Sequence, residues 1–304
     1  MKTNYLISIV GPTAIGKTAL SIKLAQYFKT EIISADSRQF FKEMQIGTAA
    51  PNIEELNQAK HHFIHHKSIN EDYNVGSFEK DAITLLDTLF DNHNVVIMVG
   101  GSGLYIDAVT KGLDEFPKVD TSIRKQLNAE LKENGLLSLQ HKLNVLDPNS
   151  YNSIAIDNPH RVIRALEICI GTGQPYSSFL NKEKEKRRFN TITIGLEAER
   201  EIIYNRINQR VDLMLKEGLQ QEVESLKENK HLNALNTVGY KELFNYFEGL
   251  WELDFAISEI KKNTRRFAKR QMTWFKKDET IKWFDYEYDL NEITDYLNKK
   301  IQLE

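Results

Sequence analysis

The residues Gly11-Pro-Thr-Ala-Ile-Gly-Lys-Thr18 follow the spacing G-x-x-x-x-G-K-[ST] of a phosphate-binding loop. In such a loop Gly11, Pro12, Thr13, Ala14, Ile15 and Gly16 let the backbone wrap closely around phosphate oxygens. The loop amides and the following helix N-terminus add positive potential, and Lys17 adds a full charge. Thr18 is placed to hold Mg2+ through its hydroxyl. The pattern establishes diphosphate or triphosphate binding and leaves the reaction open, because kinases, ATPases and GTPases share it.

Two further segments carry chemistry. Ser34-Ala-Asp-Ser-Arg-Gln39 follows a short apolar run, so Asp36 falls at the carboxyl edge of a sheet, where open α/β folds place ligands. There it is either a carboxylate facing substrate or an acid that shapes a turn. Val99-Gly-Gly-Ser-Gly-Leu-Tyr105 brings three glycines and the Ser102 hydroxyl to the same edge after another apolar run. That run, Val95 to Val99, ends in glycine rather than in an acid, which argues against an ordinary ATPase.

These loops need strands and helices to position them. Tyr5 to Val10, Glu31 to Ser34, Val95 to Val99 and Thr191 to Leu196 read as short buried strands. Leu20, Leu24, Ala25 and Phe28 recur at helical spacing after the phosphate loop. Strands alternating with helices imply an α/β fold, a P-loop NTPase-like parallel sheet covered by helices. Between about Asp114 and Asn190 amphipathic helical segments replace strands, so residues 114–190 read as a mostly helical insertion in a core of 1–113 and 191–304. The charge run Asn181 to Arg188 reads as a solvated loop, 199–263 as helical, and Ile281 to Phe284 as a last strand.

The chain of 304 residues, 41% hydrophobic and 27% charged with net charge -3, has no global electrostatic bias, so any polyanion must meet a local patch. Its single cysteine, Cys169, excludes a disulfide framework. No apolar stretch approaches the roughly 18–20 residues that span a bilayer. A cytoplasmic protein with no membrane contact is expected.

The order of motifs resembles the bacterial tRNA dimethylallyltransferases, the isopentenyl transferases that modify an adenosine beside the anticodon. Matching pieces extend over nearly the whole length: the phosphate loop, Ile33 to Gln39, Met44 to Pro51, Gly100 to Tyr105, His160 to Glu167, Arg206 to Met214, Val238 to Glu242 and Thr264 to Trp274. The resemblance implies that the loop holds the diphosphate of dimethylallyl diphosphate rather than ATP, with diphosphate as leaving group and Mg2+ as cofactor. Lys17, Thr18, Arg206 and Arg210 would then stabilise the departing charge, Ser102 would contact substrate, and Asp36 would take the proton of the adenine amine. It also implies a monomer that contacts the tRNA anticodon stem-loop through Asp36, Ser37, Arg38, Gln39, Ser102, Arg124, His160, Arg161, Val162, Ile163, Arg164, Arg265, Arg266, Lys269 and Arg270. Two departures stand out: Ser102 replaces the family's threonine, and Lys60-His-His-Phe-Ile-His65 lacks its proline and carries His65 in place of an acid. The histidines His61, His62, His65 and His66 lack a cysteine or a spaced acidic partner, so they do not read as a zinc site.

Eight bases fall between Lys261 and Lys277, with Phe267, Trp274 and Phe275 among them. They make either a solvated helix face or, with the resemblance, an RNA-binding one. A base splayed from the anticodon loop would enter a cleft opposite the diphosphate. Three other readings remain at this point: prenyl transfer to free AMP or ADP, phosphoryl transfer from ATP, and a non-catalytic RNA-binding module with a relict loop.

Overall fold

The computed structural model describes residues 3–182 and 184–302. Six strands, β1 (Tyr5–Val10), β2 (Ile32–Ser34), β3 (His61–His62), β4 (Val95–Val99), β5 (Asn190–Glu197) and β6 (Lys282–Asp285), form one sheet in the order β3-β2-β4-β1-β5-β6. Every pairing is parallel. Among the described residues twelve α-helices lie between and after them: α1 (Lys17–Phe28), α2 (Ile53–Gln58), α3 (Val75–Phe90), α4 (Gly103–Lys111), α5 (Thr121–Leu146), α6 (Pro148–Ser153), α7 (Pro159–Thr172), α8 (Arg200–Lys216), α9 (Leu219–Ser225), α10 (Tyr240–Phe247), α11 (Leu253–Phe275) and α12 (Leu290–Gln302). The parallel α/β sheet covered by helices is the fold class that the strand pattern implies.

Alternation along β1 explains why its run is apolar apart from the buried Ser8. Leu6 and Val10 enter one core with Phe78 and Leu86 of α3 and Ile260 of α11. Tyr5, Ile7 and Ile9 enter the core on the opposite face with Leu20 and Leu24 of α1 and Leu297 of α12. A strand covered on both faces has no polar side to offer.

The chain divides into two compact units, Met1–Lys111 with Arg187–Glu304, and Gly112–Lys186. The second unit is helical, with α5, α6 and α7 around Leu127, Leu139, Leu143, Val162, Ile163 and Leu166. Helix α5 is broken at Gly135, where φ is 75° and ψ 177°. Among the described residues no helix is long and apolar enough to cross a membrane.

Candidate active site at the carboxyl edge of the sheet

Strands β2, β4 and β1 are neighbours, so the three loops that follow them emerge side by side. The Ala35 amide donates to Val99 O at 2.7 Å and the Gly100 amide to Ile9 O at 3.2 Å, which ties the start of each loop to the adjacent strand. Topology alone thus unites the phosphate loop, the Asp36 turn and the Gly100–Gly103 turn from three separate parts of the sequence.

Gly16 caps α1 at φ 110°, a left-handed conformation that favours glycine. Ala14 also takes positive φ, at 66°. Lys17 folds back so that Nζ donates to Pro12 O at 2.8 Å, and Arg206 Nε donates to Ala14 O at 2.7 Å. Burial pushes the Lys17 ammonium down to about 8; Asp36 opposes this and Arg210 reinforces it. Arg210 is likewise held below the ordinary arginine range, by burial and then by the charge of Arg206. Lys17, Arg206 and Arg210 therefore form a cationic cluster whose members repel one another and lose hydration, the electrostatics of a site for a polyanion.

Asp36 is the acid within this cluster's field. Its Oδ1 accepts the Arg38 amide at 3.1 Å, so the residue shapes a turn, and it also lines the cleft. That cleft, of about 520 Å³, includes Lys17, Thr18, Asp36 and Arg210 in its wall. A recess of about 60 Å³ shares Lys17 and Asp36 with it and has Val211, Met214, Ile260 and Phe267 in its wall. Ser102 Oγ lies 3.2 Å from Ser37 Oγ and 3.3 Å from the Ser37 amide, bridging the second and third loops. Arg38 stacks on Phe267 with its guanidinium carbon 4.2 Å from the ring centroid. Gln39 Nε2 reaches Ala49 O at 3.1 Å and so belongs to the cleft wall.

Three groups that sequence reasoning left without a role shape the site. Gln271 of α11 contacts both the phosphate loop and the Gly100–Gly103 turn. Glu222 of α9 accepts the amides of Gln45, Ile46 and Gly47 at 3.0, 2.7 and 2.9 Å, and the Tyr240 hydroxyl at 2.6 Å, fixing the 45–52 wall of the cleft. His65, at φ 49°, donates its amide to Gln39 O at 2.9 Å and so steadies the Asp36–Gln39 turn through its main chain. The available signal was a polar residue in an apolar stripe, since Ala268, Gln271 and Phe275 share the buried side of α11. Of the other histidines, His62 meets Glu31 at 2.5 Å and His61 Nδ1 meets Ala59 O at 2.8 Å.

The basic helix is smaller in free charge than its sequence suggests. Lys261 pairs with Asp212 at 2.6 Å, Lys276 with Glu197 at 2.6 Å, and Lys262 with Glu259. Arg265 is half-buried and bonded to Asn208 at 2.8 Å. Arg266, Lys269 and Arg270 stand exposed.

In the helical unit, His160 and Arg161 are exposed at the start of α7. Val162 and Ile163 require correction: they are 0% and 4% exposed and form the core of this unit. Helical periodicity turns two consecutive positions inward, so their side chains cannot touch RNA. Arg124 and Arg164 both converge on the buried carboxylate of Glu167, Arg124 through two bonds of 3.1 and 2.7 Å and Arg164 through one of 2.9 Å. That pairing occupies part of the donor capacity assigned to RNA.

The profile of the IPP transferase family matches residues 39–278. The chain belongs to this family. It is 64% identical over 299 residues to the tRNA dimethylallyltransferase of Christiangramia forsetii, covering 98% of this chain and 99% of that one. It is 59% identical to that of Flavobacterium johnsoniae, covering 98% of each. Among solved structures, the tRNA isopentenylpyrophosphate transferase of Bacillus halodurans superposes with a TM-score of 0.74 at 36% identity, covering 98% of this chain and 97% of that one. A eukaryotic dimethylallyltransferase acting on tRNA gives 0.78 at 27% identity, covering 93% of this chain and 74% of that one. The matched span includes the motifs from Met44 to Trp274.

Proposed function

We propose that this chain transfers a dimethylallyl group from dimethylallyl diphosphate to the exocyclic amine of the adenosine immediately 3' of a tRNA anticodon. The observation that carries the reading is the single cleft in which Asp36 faces the cluster of Lys17 and Arg210. In the reaction the C–O bond to diphosphate breaks, the leaving group keeps the electron pair, and the adenine nitrogen forms the new C–N bond. Lys17, Arg206, Arg210 and the amides at the start of α1 stabilise the charge that grows on diphosphate. Asp36 Oδ1 is held by the Arg38 amide, which leaves Oδ2 to accept the proton that the amine loses. The apolar side of the recess beside Lys17, made by Val211, Met214, Ile260 and Phe267, suits the short branched tail, and Ser102 bridges the turn that carries Asp36.

Magnesium fits this donor set. Thr18 contributes a hard hydroxyl oxygen, and among the described residues no group of three acidic or histidine ligands forms a cage, so the remaining ligands would be diphosphate oxygens and water. Mg2+ held there would neutralise charge on the leaving group. RNA contact is assigned to Arg266, Lys269 and Arg270 with the Asp36–Gln39 turn, and to His160 and Arg161 in the helical unit. A tRNA substrate and one free, buried cysteine support a cytoplasmic setting, and we take the working form to be a monomer.

The test offers purified protein, Mg2+ and dimethylallyl diphosphate with unmodified tRNA and AMP side by side, and ATP in a parallel reaction. Digested tRNA should show one prenylated adenosine by mass spectrometry. Prenylation of AMP alone, or phosphoryl transfer from ATP, would replace this reading.

A further inference from the structure

We propose that Gln271 is a positioning residue that locks the diphosphate loop to the Gly100–Gly103 turn. Its carboxamide bridges two loops: Oε1 accepts the Thr13 amide at 2.9 Å, and Nε2 donates to Gly101 O at 2.9 Å. A backbone amide only donates and a carbonyl only accepts, so these partners fix which end of the carboxamide faces which loop. The side chain is 5% exposed; its bond to Gly101 O is buried and its bond to the Thr13 amide partly buried.

The surroundings are built for this contact. A Cβ at Gly101 would lie 2.2 Å from Nε2, and one at Gly103 would lie 2.4 Å from the ring of Trp274, one turn further along α11. Trp274 Nε1 donates to Asp107 Oδ2 at 2.9 Å, so α11 seats in the turn at two successive points. From the other side, Arg206 holds Ala14 O, next to the Thr13 that Gln271 holds. The loop is thus gripped at adjacent residues, Thr13 and Ala14, by two side chains, one from α8 and one from α11. Gln271 need not touch diphosphate to matter; it keeps the loop in the shape that binds it, at a fixed distance from the turn that packs beside Asp36.

The role deepens the prenyl-transfer reading, but its test does not depend on that reading. Inorganic diphosphate with Mg2+ is titrated by calorimetry into the wild-type chain, Gln271→Met and Gln271→Glu, with tRNA affinity and melting temperature measured on each. Methionine keeps length and volume and removes both bonds. Gln271→Met should bind diphosphate about tenfold or more weakly, the effect of orphaning the buried Gly101 carbonyl and the partly buried Thr13 amide, while tRNA affinity stays within about twofold. Gln271→Glu should be weaker still at pH 8, because a carboxylate cannot donate to Gly101 O and brings negative charge to the loop. Protonated, it restores both bonds, so its deficit should shrink only as pH falls toward the carboxyl range at ~4.3. Wild-type diphosphate affinity in both variants overturns the proposal, as does a parallel loss of diphosphate and tRNA binding. A wild-type chain that binds diphosphate but prenylates nothing would overturn the proposed reaction and leave the titration to decide on Gln271.

Discussion

The depressed proton affinity of Lys17 makes ligand binding depend on pH in a defined direction. Burial lowers its pKa from 10.5 to about 8. At ~1.4 kcal/mol per tenfold change in proton affinity, charging this amine within the loop costs about 3 kcal/mol more than in water. A bound diphosphate supplies the counter-charge and favours the ammonium. Below pH 8 the lysine is already charged and binding is insensitive to pH. Above pH 8 each binding event must also take up a proton, and affinity for dimethylallyl diphosphate should fall by about tenfold per pH unit up to pH 10. The ligand itself does not titrate there, since the second ionisation of a phosphate lies near pH ~6. Calorimetry in two buffers of different ionisation heat measures the proton uptake directly. Lys17→Arg, charged throughout this range, should bind with a nearly flat profile whatever its absolute affinity. A flat wild-type profile, or equal slopes in both proteins, would refute the reasoning. The same shift acts on folding. The folded pKa lies below the unfolded one, so the neutral amine is favoured by the fold, and the ligand-free chain should gain stability as pH rises from 8 to 10.5. Lys17→Met should lack that gain and unfold later at pH 7, by up to about 3 kcal/mol in chemical denaturation.

Other substitutions separate the remaining roles. Asp36→Ala should cut kcat by about 10²–10⁴-fold and leave the tRNA dissociation constant nearly unchanged, as a base acts in the transition state; equal losses in both would make it a binding residue. Lys269→Ala combined with Arg270→Ala should weaken tRNA binding and reduce the slope of log affinity against log salt by about 1 per residue, read by filter binding across a salt series. An unchanged slope removes this face from the interface. Ile163→Ala should destabilise the helical unit by about 2–5 kcal/mol in denaturant titration, the cost of a core cavity. A loss confined to tRNA affinity would return Ile163 to the surface.

Much of the fold is legible in the chain because buried parallel strands leave short runs rich in β-branched and apolar residues: β4 is apolar throughout, β1 is broken only by Ser8, and β5 alternates Ile192, Ile194 and Leu196 with threonine and glycine. β3 was not legible: His61 and His62 are half-buried and polar, and they join the sheet only through pairing with Ile32 and Ile33. The phosphate loop and Asp36 were readable from local spacing. Glu222 was not, because its partners Gln45–Gly47 lie far away in sequence and nothing local marks it; Gln271 was marked only as a polar residue in the apolar stripe of α11, and its partner Thr13 lies far away. Counting bases on α11 overstated its free charge for the same reason, since Asp212 and Glu197 that pair with Lys261 and Lys276 come from other elements. Reading His160 to Arg164 as one contact run ignored that a helix sends Val162 and Ile163 inward.

The separation between Thr13 and Gln271 also governs how the protein is made. The phosphate loop leaves the ribosome early, but the side chain that fixes it is synthesised 258 residues later. A nascent chain carries the full motif without the grip that shapes it, and contacts of such long sequence separation form slowly. Diphosphate capture should therefore switch on late in synthesis, once α11 has docked. A ligand that binds only the completed loop should then stabilise the folded chain by mass action.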